Sequence, residues 1–200
     1  MHSQNLEEQY ILNYFGDYVG TFLDLGCNDC VTFSNTRALA LKGWKGVFVD
    51  PSKKAMDRCK TLYNGHKGYY FYPVAVSSHN GKAILQESGP LCSAEDVALV
   101  STFHQEEVDR FKMTVHYEPV EVVTYKWKTF LNRLRLKKFD MVSIDVEGDE
   151  MSILPEMDLT ETRLVAIEWN SKPHLKTEYE KYLEGFKLIY TSGENLIYAR

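Results

Sequence analysis

The sequence predicts an α/β fold in which helices cover both faces of a mostly parallel β-sheet. Short apolar runs alternate with stretches of helical periodicity, a pattern typical of βαβ units. Four of these runs are apolar on both faces, as strands of a helix-covered parallel sheet must be; they span 21–27, 46–50, 139–145 and 163–168. The chain ends in two further runs, 187–192 and 195–200, whose spacing predicts an antiparallel hairpin turning at Gly193-Glu194.

The remaining elements are predicted from periodicity and from helix-capping residues. A helix is expected over 33–42, and a second helix begins near Ser52, a favourable N-cap that precedes apolar residues at helical spacing. The other expected elements are strands over 69–77, 81–87 and 120–125 and helices over 128–134 and 175–186.

Length and patterning predict one domain that spans residues 1–200. A chain of 200 residues suits one ordinary domain, and 44% hydrophobic with 26% charged residues is average for a globular protein. Residues 88–118 lack a clear period and contain Gly89 and Pro90. Because long irregular segments inside compact domains are often lids or binding loops, we expect an insertion here that contributes to an acceptor site.

Charge and the length of the apolar runs argue against two classes of partner. The net charge of −5 disfavours a nucleic-acid partner, since binding to a phosphate backbone rests on clustered Lys and Arg. No apolar run approaches the roughly 20 residues that span a bilayer, so no membrane partner is expected. The first residues carry Glu7 and Glu8 without a preceding basic run, which is not the pattern of a signal peptide.

The cysteines point to a reducing compartment. Four cysteines at irregular spacing, Cys27, Cys30, Cys59 and Cys92, are too few for a disulfide scaffold. We therefore expect reduced thiols and a cytoplasmic protein. Cys27 and Cys30 form a CxxC pair, but no second pair is present to complete a zinc site, and packing within the loop is the favoured role.

Polar residues follow the first two predicted strands, at the sheet edge where open α/β folds bind ligands. Asp24-Leu25-Gly26 ends the first strand, and Gly26 allows a tight turn and a close approach of a ligand. Asp50 ends the second strand, where an acid can accept hydrogen bonds from ribose hydroxyls. This pattern is that of a nucleoside-binding methyltransferase. The glycine-rich GxGxxG loop is absent, which argues against an NAD oxidoreductase.

A second acidic group follows the two later apolar strands. Asp145 and Glu147 end one strand, and Glu168 and Asn170 end the next. Acids at the end of an apolar strand are costly unless they are hydrogen-bonded, bound to a metal or opened to a site. Hard oxygen ligands on adjacent strand ends suit Mg²⁺ or Ca²⁺, so one hypothesis is a divalent cation held by Asp145, Glu168 and Asn170.

Four segments together resemble the FkbM family of S-adenosylmethionine-dependent methyltransferases. They are FLDLGCNDCVTFSNTRAL, GWKGVFVDP, AVSSHNGKA and FDMVSIDVEGDE, and the resemblance runs from about residue 3 to residue 170. The resemblance implies a Rossmann-like class I methyltransferase fold with a seven-stranded, mostly parallel sheet and a C-terminal antiparallel hairpin. It also implies O-methylation of small molecules or sugars, with S-adenosylmethionine as cofactor.

The resemblance assigns roles residue by residue. The positions implied to bind the cofactor are Asp24, Gly26, Cys27, Asn28, Asp50, Pro51, Ala75, Val76, Ser77 and Asp145. Asp145, Glu147 and Gly148 match the family's D-x-E-G. Cys30 departs from the pattern, because the family commonly has glycine at this position.

The reaction proposed from the sequence is methyl transfer to a hydroxyl of a small molecule or carbohydrate. A hydroxyl is a very weak acid, so a base or a metal must assist. Asp145 is the first candidate, with Glu147 beside it, and His104 or His116 could take the proton. Two alternatives stay open: a catalytically silent cofactor-binding module that serves a partner enzyme, and, less favoured, a nucleic-acid methyltransferase. A homodimer also remains open.

Each of these residues has a structural interpretation as well. Asp24 and Gly26 could form an ordinary strand-to-helix turn, and Asp50 could be the N-cap of the helix after it. Asp145 and Glu147 could cap the next turn. The two histidines are more often surface residues without a role than catalytic groups.

Overall fold

The computed structural model of the chain describes residues 2–93 and 96–200. Its first part comprises α1 (Glu7–Phe15), β1 (Thr21–Leu25), α2 (Arg37–Leu41), β2 (Lys45–Val49), α3 (Lys53–Leu62) and β3 (Tyr69–Tyr72). The middle comprises β4 (Ala75–Val76), β5 (Gly81–Ser88), α4 (Gln105–Phe111), β6 (Tyr117–Tyr125) and α5 (Trp127–Leu131). The last part comprises β7 (Met141–Ile144), α6 (Glu150–Ile153), β8 (Leu164–Glu168), α7 (Pro173–Glu180), β9 (Lys187–Thr191) and β10 (Asn195–Ala199).

Seven strands form the central sheet in the order β3-β2-β1-β7-β8-β10-β9. All neighbouring pairs from β3 to β8 are parallel, and β10 is antiparallel to both β8 and β9. The predicted α/β fold and C-terminal hairpin are therefore confirmed. The strand order reverses between β1 and β7, and such a switch point opens a crevice at the carboxyl ends of the strands.

Two apolar layers cover the two faces of this sheet. Along β1, Phe22 packs into one layer, while Leu23 and Leu25 pack into the other, as the two-residue period of a strand requires. The first layer is completed by Ile11, Phe15, Leu39 and Met56 from α1, α2 and α3, and the second by Trp127, Phe130, Ile153 and Tyr179 from α5, α6 and α7. The expectation of helices on both faces is correct.

A second, three-stranded sheet with the order β4-β6-β5 corrects the predicted strand over 69–77. That segment divides into β3 in the central sheet and β4 in the small sheet. Pro73 lies between them and lacks the N–H needed to continue a ladder, which explains the break. β5 pairs with β6 from Gly81↔Thr124 to Ser88↔Tyr117, so the predicted insertion is the connection of a long hairpin over 89–116. Residues 94 and 95 of this insertion lie outside the described residues.

Several predicted boundaries also move. The helix expected over 33–42 is confined to α2, because the preceding loop has left-handed residues at Asn28, Cys30 and Phe33 that an α-helix excludes. The last helix begins at Pro173, a favourable first helical residue, and ends five residues before Gly185. Among the described residues, no helix has the length and apolar character needed to cross a membrane.

The structure contradicts the expectation of reduced cysteines. Cys30 and Cys59 form a disulfide with their Cα atoms 5.6 Å apart, while Cys27 is a buried free thiol and Cys92 an exposed one. The irregular spacing hid this pair, because 29 residues of chain separate two positions that the β1–α2 loop and α3 bring face to face. Disulfides persist mainly in oxidising compartments, so the cysteines no longer support a cytoplasmic location.

Candidate active site

A cavity of about 270 Å³ lies at the switch-point edge of the central sheet. Its floor is formed by the carboxyl ends of β1, β2, β7 and β8 and by the loops that follow them. The insertion over 89–116 covers it. The sheet topology therefore places the cavity where open α/β folds bind their ligands.

The loop after β1 begins with a close approach between two strand ends. Gly26 has φ of +80°, and a Cβ built there would lie 1.5 Å from the backbone oxygen of Asp145. Asp24 is buried and accepts a hydrogen bond from the Thr36 hydroxyl at 2.5 Å. Glycine at position 26 thus brings the cofactor loop predicted from the sequence against the acidic end of β7.

Asp50 fixes the loop after β1 to the end of β2. Its carboxylate accepts hydrogen bonds from the backbone N–H of Asn28 at 3.0 Å and of Ser52 at 2.8 Å. Ser52, rather than Asp50, is the N-cap of α3, since its hydroxyl accepts from the Ala55 N–H. Asp50 lines the cavity and is therefore available to a ligand.

Four further positions that the resemblance implies for cofactor binding divide into two groups. Pro51, Ala75 and Val76 line the cavity and form an apolar wall beside Asp50. Ser77 is buried but outside the cavity lining, and its backbone N–H donates to the Tyr125 oxygen at 2.9 Å. Ser77 thus follows β4 directly and is hydrogen-bonded to the end of β6.

Three acids meet at the other end of the cavity. Carboxylate oxygens of Asp145, Glu147 and Glu168 lie within 4.8 Å of one another. β7 ends at Ile144, before these acids, and Glu147 takes φ of +53°. This left-handed residue turns the chain, so the two-residue period of a strand does not decide where the Glu147 side chain lies.

Asn170 and Glu150 have different roles around this acidic cluster. Asn170 lines the cavity, and its side-chain N–H donates to Glu168 at 2.6 Å. Glu150 accepts the backbone N–H groups of Val146 and Gly148 at 3.1 and 3.3 Å. Because Glu150 supports this turn, Asp145 and Glu147 are not needed to cap it.

Burial raises the pKa of the cavity acids. It raises the pKa of Asp24 to about 6, against hydrogen bonds from Thr36 and Ser143, and that of Asp50 to about 7. Burial, followed by the charge of Glu150, raises the pKa of Asp145 to about 7. The pKa values of Glu147 and Glu168 are raised well above the usual range by burial and then by the Asp145 charge.

These acids have no ion-pair partner in the described part of the chain, although the charge of Arg110, which also lines the cavity, opposes part of the rise in pKa that burial causes at Glu147. Across residues 2–93 and 96–200, none of the ion pairs involves Asp24, Asp50, Asp145, Glu147 or Glu168. Buried carboxylates without a counter-charge are costly when ionised. A cation in the cavity would therefore be favoured by all of them.

The insertion is attached to both ends of the cavity. At the β1 end, the Asn28 side-chain N–H donates to the Val97 oxygen at 2.6 Å. At the β7 end, the buried Thr102 hydroxyl donates to the Glu147 oxygen at 2.8 Å. Side chains of the insertion that face the cavity include Leu91, Leu99, Phe103, Arg110 and Phe111.

The two candidate histidines differ in position. His104 Nε2 lies 3.2 Å from Asp149 Oδ1, and the His104 ring packs over Gly148, next to the acidic cluster. His116 is exposed and lies outside the cavity lining, at the far end of the insertion, where its backbone oxygen accepts from Gly89. The structure therefore places only His104 near the cavity.

Sequence reasoning missed two asparagines that line the cavity, Asn35 and Asn195. Each has a buried side-chain oxygen without a hydrogen-bond partner in the described part of the chain. Asn195 pairs across the sheet with Glu168, which puts the two side chains on one face. An asparagine at the start of an otherwise apolar strand was the available signal.

Comparisons with known proteins agree with this geometry. A family model described as "Methyltransferase FkbM domain" matches residues 16–188. A curated relative, the 2-O-methyltransferase NoeI of Sinorhizobium fredii, is 24% identical over 155 residues. That alignment covers 75% of this chain but only 63% of NoeI, so the chain spans less than two thirds of this relative.

Solved structures share the fold. Monomeric WbdD has a TM-score of 0.51 and 12% identity, with 98% of this chain and 41% of WbdD covered. A ribosomal protein L11 methylase from Lactobacillus delbrueckii subsp. bulgaricus has a TM-score of 0.52 and 10% identity, with 97% of this chain and 76% of the methylase covered. Because the family model spans most of the sequence and the fold agrees with it, the chain belongs to the FkbM methyltransferase family.

Proposed function

We propose that the protein is an S-adenosylmethionine-dependent methyltransferase that acts on a hydroxyl of a small molecule or carbohydrate. The observation that carries this proposal is a set of acids around the switch-point cavity that form no ion pair among the described residues: Asp24, Asp50 and Glu168 are buried, and Asp145 and Glu147 are half-buried. Such a cavity favours a cationic ligand, and the family to which the chain belongs uses a positively charged methyl donor.

The residues around the cavity fit this donor. Asp50 is placed to accept the ribose hydroxyls, and Pro51, Ala75 and Val76 offer an apolar wall to the adenine ring. The unpaired Asn35 oxygen, beyond the loop that contains Gly26 and Asn28, could accept from the ammonium of the methionine part. When bound, S-adenosylmethionine supplies an electrophilic methyl group on sulfur.

Asp145 is the proposed base. A carboxylate with a pKa of about 7 is balanced between the two protonation states near neutral pH, which general-base catalysis requires. Glu147 and Glu168 lie beside it and can share the proton that Asp145 removes from the acceptor hydroxyl. His104 is a positioning residue in this proposal, because its contact is with Asp149 rather than with the acidic cluster. His116 has no part in it.

A divalent cation is a second form of the same proposal. Asp145, Glu147 and Glu168 offer three hard oxygen ligands within 4.8 Å, whereas Asn170 presents an N–H to Glu168. We therefore propose Glu147 in place of Asn170 as the third protein ligand. Methyl transfer that survives complete chelation by EDTA would reject the cation; loss of activity that Mg²⁺ restores would support it.

Hydroxyl specificity is proposed from the curated relative, which is a 2-O-methyltransferase. The apolar side chains Leu91, Leu99, Phe103 and Phe111 face the cavity from the insertion, together with Arg110. This lining suits an acceptor with an apolar face, such as a sugar ring or an acylated small molecule. We also propose that the protein acts on neither nucleic acid nor membrane, in line with its net charge of −5 and the absence of a spanning helix among the described residues.

Calorimetry with S-adenosylhomocysteine tests the cofactor, and transfer of a labelled methyl group to a panel of hydroxyl acceptors tests the reaction. Binding that is lost in Asp50→Ala is the expected result of the first experiment. No binding to the intact chain would overturn the proposal. Binding without transfer to any acceptor would favour the alternative of a silent module that acts with a partner enzyme.

A further inference from the structure

The Cys30–Cys59 disulfide joins two elements that the proposed cofactor would contact. Cys30 lies in the loop after β1, and Cys59 lies in α3, the helix that follows Asp50. Both cysteines are fully buried. The covalent bond therefore connects the loop beside the methionine part to the element that begins beside the ribose acid.

The loop after β1 contains several left-handed residues, a conformation that a covalent cross-link would stabilise. Asn28, Cys30 and Phe33 have φ of +47°, +64° and +53°, all in the left-handed region that favours glycine. The Asp29 carboxylate accepts the backbone N–H groups of Val31 and Thr32, which supports the far half of the turn. At Cys30 the side chain contributes the disulfide itself.

The same bond also reaches the groups that line the cavity. Cys59 Sγ lies 3.1 Å from the Asn28 oxygen, and Asn28 in turn donates to Asp50 and to Val97 of the insertion. A displacement of Cys30 would therefore move Asn28 away from Asp50. Through Asn28 the disulfide is coupled to both the floor and the cover of the cavity.

A third sulfur atom makes this a cluster rather than an isolated bond. The sulfur atoms of Cys27, Cys30 and Cys59 all lie within 4.8 Å of one another, and Cys27 lines the cavity. Burial raises the pKa of the Cys27 thiol well above its ordinary value, which keeps it protonated and slow to attack the disulfide. The disulfide is thus protected from internal exchange. Because Cys30 and Cys59 are fully buried and lie outside the cavity lining, an external reductant reaches the bond only when the loop after β1 opens.

We propose that the Cys30–Cys59 disulfide is a redox-sensitive brace that holds the cofactor loop in its binding conformation. Reduction by a dithiol breaks the S–S bond, adds one proton to each sulfur, and converts the dithiol to its own disulfide. The freed loop then leaves the left-handed conformation at Cys30 more readily, and the cofactor binds less tightly. This inference rests on the proposed function, since it assumes that the cavity binds S-adenosylmethionine.

Linkage makes the effect reciprocal. If reduction weakens cofactor binding by some factor, cofactor binding must oppose reduction by the same factor. Bound cofactor would also cover Cys27 and the cavity side of the sulfur cluster. The extent of reduction is therefore a readout that does not depend on catalysis.

The experiment compares S-adenosylhomocysteine binding to the oxidised chain and to the chain reduced with dithiothreitol. Alkylation of free thiols and mass measurement should count two thiols before reduction and four after it, because four cysteines include one disulfide. We expect about tenfold weaker binding after reduction, the size of effect that one strained backbone residue produces. We also expect S-adenosylhomocysteine to shift the dithiothreitol midpoint for reduction upward.

Equal affinity of the two forms, with reduction verified by the thiol count, would overturn the brace and leave the proposed function intact. Four free thiols in the untreated chain would also overturn it. No binding to either form would overturn the proposed function and this inference together.

Two variants separate the brace from a general loss of stability. Cys59→Ala leaves Cys30 left-handed without its partner, and we expect about tenfold weaker binding that no longer responds to dithiothreitol. In the double variant Cys30→Gly/Cys59→Ala, glycine adopts φ of +64° freely, and we expect binding within about threefold of the oxidised chain. If the double variant binds no better than Cys59→Ala while both unfold at the same denaturant concentration, the loop restraint is wrong.

Discussion

The two ends of the cavity differ in the structural elements that position their polar side chains. At the β1–β2 end, Asp24 and Gly26 lie at the end of β1 and Asp50 follows β2, so the parallel pairing of these strands positions them, and all three line the cavity. At the β7–β8 end, Glu168 ends β8, whereas Glu147 and Asn170 lie in turns with left-handed backbones. The positions of the residues at the first end are set mainly by the strands. The second depends on local turns and on the insertion, which is where acceptor specificity would reside.

The contact between these two ends gives the largest expected effect. Gly26→Ala would place a Cβ 1.5 Å from the Asp145 backbone oxygen, at φ of +80°. We expect a loss of about 4 kcal/mol or more in the free energy of unfolding, since neither backbone can move without separating β1 from β7. Urea unfolding followed by fluorescence would measure it.

Gly16→Ala is the matched control. Gly16 also has a left-handed φ, +56°, but a Cβ there meets nothing within 4 Å. It should cost about 1–3 kcal/mol, from backbone strain alone, because φ of +56° with ψ of −122° is a conformation that residues other than glycine rarely adopt. Similar losses in the two variants would show that the close approach of the two strand ends has no role in stability.

The next prediction separates the two ends by ligand binding. Asp50→Asn should weaken S-adenosylhomocysteine binding by about 10- to 100-fold, because a charged acceptor for the ribose hydroxyls and one of its two backbone partners are lost. Asp145→Asn should weaken it by less than about threefold, because this neutral ligand lacks the charged methyl-bearing sulfur. Calorimetry on both variants makes the comparison, and an equal loss would mean that the ends do not act separately.

The sequence predicted the first end well because its determinants are local. Asp24 and Gly26 end one strand, and Asp50 follows the next strand along the chain. The parallel pairing of these two consecutive strands brings their ends together. The same reasoning from local sequence correctly predicted the central sheet and its C-terminal hairpin. It failed at 69–77, where Pro73 lies between β3 of the central sheet and β4 of the small sheet, and Ser77, directly after β4, lies outside the cavity lining.

The second end was harder because its contacts are long-range or depend on unusual backbone geometry. Glu147 joins Asp145 and Glu168 only after a left-handed turn that alternation cannot anticipate. Asn195 reaches the cavity through an antiparallel pairing with a strand end 27 residues earlier. The disulfide could not be predicted for the same reason. The spacing of its cysteines matches no motif, and only the packing of α3 against the loop after β1 brings them together.

The cavity acids also predict a pH dependence of stability. Burial raises the folded-state pKa of Asp50 and Asp145 from 3.8 to about 7, so the folded chain binds more protons than the unfolded chain between these values. The free energy of unfolding of the ligand-free protein should therefore fall as pH rises from about 4 to about 7. Urea titrations across this range would measure the slope, and a rise in stability would contradict the raised pKa values.

The affinity for a positively charged ligand should instead rise with pH. As Asp50 and Asp145 ionise, S-adenosylmethionine gains an attraction that the neutral S-adenosylhomocysteine lacks, so the ratio of their affinities should rise by up to roughly tenfold between about pH 6 and about pH 8. Because both ligands share the adenosine and amino-acid parts, the ratio isolates the effect of sulfur charge. A ratio independent of pH would show that the acids do not face the sulfur.

The smallest effect concerns the insertion at the β7–β8 end. Thr102→Val keeps the side-chain shape but removes the hydrogen bond to the Glu147 oxygen and the one that Thr102 accepts from the His104 N–H. We expect the insertion to open more easily by about 1–2 kcal/mol, the usual cost of an unsatisfied buried group. Amide exchange in residues 96–116 should quicken while β1 and β2 are unchanged. His116→Ala, an exposed change in the same segment, should alter neither. If Thr102→Val instead accelerated amide exchange at Asn28 and Asp50, the insertion would couple the two ends of the cavity, and the two ends would not act separately.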